Sequence, residues 1–162
     1  MIKSIVKVKP AFFAGRMALL FVEMCAFYFM GTAIHEEFHM LMGNLLGVEG
    51  HVVFNFGTAF YYWQRPDNMV TIQLVRFAGG LGSGLVFFLL YLIFNLRHKE
   101  TGHYQMEMFT CLTISIWQVV YGLTEMLSPE LDYTIGSLIG LACGYILAFS
   151  YTWFIKKREI FV

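Results

Sequence analysis

Charge is scarce in this chain. Only 14% of its 162 residues are Asp, Glu, Lys or Arg, where a soluble domain carries about 25%. The 11 basic and 11 acidic residues cancel, so no global basic field points to nucleic acid. Cysteine is limited to Cys25, Cys111 and Cys143, far apart in apolar segments. That spacing gives no C-x-x-C pair and no disulfide framework, and reads as three small buried hydrophobes. Low-complexity tracts, internal repeats and a second domain are also missing, which leaves residues 1–162 as one unit.

What is abundant is apolar. Hydrophobic residues make up 58% of the chain and aromatics 18%, too greasy for an ordinary soluble domain. A bilayer core takes about 20 apolar residues of helix, and four stretches meet or approach that length. The first runs from Ala11 to about Leu46, the second from Phe77 to Leu96, the third from Met108 to Thr124 and the fourth from Tyr133 to Ile155. Lys3, Lys7 and Lys9 before the first stretch imitate a signal peptide. Cleavage near Ala33 would discard the most chemically loaded helix, so the stretch reads as a retained span. Lysine and arginine then orient the chain. They gather at the N-terminus, at Arg97 and Lys99, and at Lys156, Lys157 and Arg158. With four spans these places share one side, which the positive-inside rule makes cytoplasmic, both termini included.

The connection from Val48 to Arg76 has its own pattern. His51–Phe56 is rich in strand formers and ends at Gly57. Asn68–Ile72 is a candidate hairpin partner, and Phe60–Trp63 reads as an interfacial aromatic cluster. The expected architecture is an all-α integral membrane protein of about four transmembrane helices, with a short β-hairpin-like connection between the first two.

Within the first span lies His35-Glu36-Glu37-Phe38-His39. Two histidines four apart share one helix face. They can hold a zinc ion, and Glu36 beside them can act as general base for a water nucleophile. Charged and titratable groups inside a membrane segment are expensive and usually functional. Glu37 points about 100° further round the helix and reads as solvent-facing or locally paired. A catalytic zinc usually takes three protein ligands and keeps one position open. Asp132 is the first candidate for the third. The end of span one and the start of span four lie on one side, and Asp132 continues the face of Gly136, Gly140 and Gly144, a stripe suited to close helix packing. An N-cap is its competing role. Glu125 and Glu130 are rival ligands. Gln118, Tyr121 and Glu125 share a face; Gln118 reads as an interhelical hydrogen-bonding residue. Gly80 and Gly84 predict another close helix contact, with the Ala78–Gly84 stretch a possible wall of the site. His51, His98 and His103 have no ligand partner at close spacing.

Three features in order resemble the site-2 protease family of intramembrane zinc metalloproteases. Ile34–His39 resembles that family's HExxH helix. Arg76–Leu81 resembles its Ala-Gly-Pro-Leu opening of the next core span, with Gly80 in place of the proline. Leu127–Tyr133 resembles its proline-containing segment ending in Leu-Asp-Gly, with Tyr133 in place of the glycine. The resemblance covers roughly Phe29 to Gly144 and describes a minimal relative with no PDZ domain. It implies zinc held by His35, His39 and Asp132, Glu36 as base, and hydrolysis of a peptide bond in a membrane-associated protein substrate. It also implies that the strand-forming connection engages that substrate as an extended chain. The alternatives are a metal-binding membrane protein without protease activity, and a helical bundle carrying a proton or ion path.

Overall fold

The structure, a computed structural model, describes residues 10–55, 58–64, 66–101, 105–128 and 133–160. Its elements run α1 (Pro10–Leu45), β1 (Gly50–Asn55), β2 (Thr58–Trp63), α2 (Met69–Thr101), α3 (Gln105–Leu127) and α4 (Tyr133–Ile160). All four helices contain a segment long and apolar enough to cross a bilayer, the architecture of a multi-pass membrane protein. At 1.5 Å per residue α1 is about 54 Å long, well beyond a hydrocarbon core of about 30 Å. Large apolar side chains on the outside, such as Phe21, Leu85 and Trp153, suit a lipid solvent.

Local chemistry explains how α1 gives way to the hairpin. Gly47 adopts φ 72°, a conformation open to glycine because it has no Cβ. The amide of Val48 then bonds Gly43 O at 2.8 Å and that of Gly47 bonds Asn44 O at 3.2 Å. This is the Schellman closure, and Val48 is buried beneath it. The chain leaves α1 as β1, which pairs antiparallel with β2 from Gly50↔Trp63 to Asn55↔Thr58. The partner of His51–Asn55 is therefore the aromatic segment Thr58–Trp63, not Asn68–Ile72. Thr58–Trp63 is nearer to β1 in sequence than Asn68–Ile72 is, so pairing closes less chain, and β2 is made of strong strand formers. Asn68 instead caps a helix: its Oδ1 accepts from Val70 N at 3.0 Å. Consequently α2 starts at Met69, eight residues before the apolar run alone indicated.

The bundle packs through glycine. A Cβ on Gly80 would lie 2.5 Å from Gly122 Cα and 2.6 Å from Gly122 N, both backbone atoms of α3. Gly84 also faces α3, against Val119. On the other side of α3, the stripe Gly136, Gly140 and Gly144 of α4 lies against Thr124, Trp117 and Thr113. Both glycine patterns act as helix seams, as the spacing predicts. An apolar core of Phe87, Cys111, Ile114, Trp117 and Ala148 fills the bundle. Helix α2 packs on α1 and α3, α1 also on α3, and α3 on α4; among the described residues the backbones of α1 and α4 do not approach closely.

Candidate metal centre

His35 and His39 project from one face of α1 towards α3 and are almost fully buried, at 1% and 6% exposure. Each ring is fixed through its Nδ1. His39 Nδ1 lies 2.6 Å from Val75 O of α2. A carbonyl oxygen only accepts, so Nδ1 carries the proton. His35 Nδ1 lies 2.8 Å from Gln118 Oε1 of α3, and the same reasoning places a proton there. The Ser83 hydroxyl stands 2.9 Å from that Gln118 oxygen and 2.7 Å from Gly79 O. In the neutral rings both Nε2 atoms are thereby left with their lone pairs, the tautomer a metal ligand needs.

Both Nε2 atoms face one carboxylate. Glu125 Oε2 is 3.0 Å from His35 Nε2 and 3.5 Å from His39 Nε2. One ligand atom from each of the three residues lies within 4.8 Å of the others. Two imidazoles and a carboxylate suit a divalent cation such as zinc. Their Nδ1 partners are in place, so the donor set would fit such a cation. Of the candidate third ligands, Glu125 is the one brought to the histidines. Asp132 and Glu130 lie outside the described residues, as does His103. The polar stripe on α3 converges as a unit. Gln118 orients His35, Glu125 meets both rings, and the ring of Tyr121 sits 5.1 Å from that of His35.

Small residues make room for this arrangement. A Cβ on Gly79 would stand 2.8 Å from His35 Cδ2 and closer still to the His39 ring. Gly79 of α2 is thus a wall of the site, and Gly82 makes the same allowance for Phe38. Glu37, between the histidines in sequence, is exposed, as its helix angle predicts. His51 is on the hairpin, stacked with Tyr62.

Glu36 faces the hairpin. Its Oε2 accepts the backbone N–H of Tyr61 at 2.7 Å. The Tyr61 ring lies nearly parallel to that of His39, with centroids 6.4 Å apart. Its hydroxyl is wedged against Gly43 and Gly50, is buried, and has no hydrogen-bond partner among the described residues. Burial pushes this phenol above its ordinary range. Nothing in the sequence marks Tyr61 as part of the site, because its contribution is a main-chain amide.

A cavity of about 600 Å³ joins these groups. It is lined by His35, Glu36, His39 and Glu125, and by Ala59, Tyr61 and Trp63 of β2. Tyr28 of α1 and Leu138 and Leu141 of α4 line it as well. Trp117, stacked with Tyr28 at 4.9 Å, is a further part of the lining. Comparison with protein families, curated proteins and solved structures finds no match to the chain.

Proposed function

We propose that the protein is a membrane-embedded zinc metallopeptidase that hydrolyses a peptide bond in a membrane-associated polypeptide. The observation that carries this reading is the convergence of His35, His39 and Glu125 on one point, with Glu36 beside them at the wall of a cavity. Zinc held by these three residues would supply an electrophile for the scissile carbonyl and lower the pKa of water to about 7. Glu36 takes the proton from that water and delivers it to the leaving amine. Gln118 and Val75 hold the imidazoles in the ligating tautomer throughout.

A substrate helix has its backbone hydrogen bonds satisfied internally, so it must unwind to be cut. An unwound chain then needs new partners. The outer edge of β2, along Ala59, Tyr61 and Trp63, lines the cavity and can accept an extended segment by strand pairing. The sequence suggests His51–Phe56 for that role; the fold favours β2, because β2 is the strand beside Glu36. His39 is six residues from the end of α1, about 9 Å along the helix axis. The reaction would thus take place near the hairpin end of the span. With both termini cytoplasmic by the positive-inside rule, that end is the non-cytoplasmic face.

Glu36→Gln tests the reading. The variant is expected to bind one zinc per chain and to cleave nothing that the wild type cleaves. Cleavage by the variant at the wild-type rate would refute the assignment of Glu36. A purified protein that neither contains zinc nor takes it up would refute the metal centre.

A further inference from the structure

The contact between Tyr61 and Glu36 has a geometric origin in the strand register. In an antiparallel pair, directly opposed residues alternate between hydrogen-bonded and non-bonded pairs. Gln64 N bonds Glu49 O at 3.1 Å, so counting along the register makes His51↔Tyr62 and Val53↔Phe60 bonded pairs. Val52↔Tyr61 is then a non-bonded pair, and the Tyr61 N–H points off the outer edge of β2. There it meets the Glu36 carboxylate at 2.7 Å.

We infer that the Tyr61 amide is a latch on Glu36, and that a polypeptide strand pairing with β2 releases it by taking the same hydrogen bond. This rests on the metallopeptidase reading and concerns the regulation of that site. The outer edge of β2 presents Ala59, Tyr61 and Trp63, and all three line the cavity. An extended substrate placed along this edge needs the donors that point outward. The donor at Tyr61 is already given to the general base. A carboxylate that accepts a short N–H bond is held in place by it. When a substrate carbonyl takes over the amide, Glu36 loses its partner beside the hairpin and turns to the water. Substrate docking and release of the base are then one event. A molecule too short to reach β2 would meet a latched enzyme.

The position of the amide is rigid, as a latch requires. The Tyr61 side chain is pinned between Gly43 of α1 and Gly50 of β1, alongside the His39 ring. The peptide is anchored while its one donor is shared between two acceptors in turn.

The test removes the N–H and keeps the rest. Tyr61→Pro deletes the donor at an outward edge position, where proline is tolerated. Tyr61→Ala deletes the side chain and keeps the donor, so the difference between the two isolates the amide. A third variant carries the α-hydroxy analogue of tyrosine at 61. It replaces the amide by an ester with the side chain intact, and decides the matter should the proline variant fail to fold. Two probes are used on zinc-loaded full-length protein: a fluorogenic dipeptide amide and an apolar quenched-fluorescent decapeptide library. Loss of the N–H is expected to raise kcat for the dipeptide several-fold and to lower kcat/KM for the decapeptides roughly fivefold, the worth of one neutral hydrogen bond. Equal changes of both probes in one direction, or no change in either, would overturn the latch. Decapeptide cleavage that survives Glu36→Gln in the same assay would instead overturn the reading beneath it.

Discussion

Gln118→Leu is the sharpest probe of how the metal centre is assembled. Leucine fills much the same space and removes the acceptor for His35 Nδ1–H. His35 is 1% exposed, so water cannot replace the lost oxygen. A buried donor left without a partner costs about 1–3 kcal/mol. The ring can avoid that cost by turning, or by moving its proton to Nε2, and either response spoils the ligand. Loss of such a partner typically weakens metal binding by about 10–100-fold. Ser83 loses one acceptor as well, but retains Gly79 O at 2.7 Å, so the main effect falls on His35. The assay is zinc competition against a fluorescent chelator, with protein in detergent micelles. Gln118→Glu is the companion variant, since it keeps an oxygen at the same point, and it is expected to hold zinc more tightly than the leucine variant. Wild-type zinc affinity in Gln118→Leu would refute the argument that this side chain sets the His35 tautomer.

Other outcomes follow from the same geometry. Glu125→Ala is expected to lose zinc stoichiometry on dialysis whereas Asp132→Ala keeps it; the reverse result, by metal analysis of the two proteins, would make Asp132 the ligand. Gly79→Ala pushes a methyl into both imidazoles and should lower zinc affinity with little change in helix content by circular dichroism. Gly80→Ala places its methyl on the α3 backbone, where no side chain can yield. It is expected to cost about 1–3 kcal/mol of stability, read as a lower thermal midpoint in detergent, and an unchanged midpoint would show that the seam can open freely.

The fold was legible where one physical rule dominates. Apolar length located all four spans, and α1 begins and ends within a residue of the stretch Ala11–Leu46. Glycine spacing identified both seams of α3. The start of α2 was hidden because Gln73 and Arg76 interrupt the apolar run, while the Asn68 cap that begins the helix is a local hydrogen bond. The hairpin partner was missed for a related reason. Phe60–Trp63 suits a membrane interface and a strand equally well by composition, and register decides between them.

Within the site, the i, i+4 histidines and the Gln118–Tyr121–Glu125 stripe were visible as helix faces. Periodicity says which residues share a face, but it does not say which partner that face meets. Gln118 therefore looked like generic interhelical glue, although the bond it makes is to His35. The Val75 carbonyl and Tyr61 amide left no trace at all, since every residue type but proline offers the same main-chain groups.

One feature of the bundle separates access from chemistry. The candidate ligands come from α1 and α3, and the groups orienting them from α2 and α3. Helix α4 leans on α3 along its glycine stripe and forms the far bank of the cavity. It holds none of those groups among the described residues. A change in the packing of α4 along that stripe would therefore reshape the cavity wall and leave the cluster of His35, His39 and Glu125 as it is.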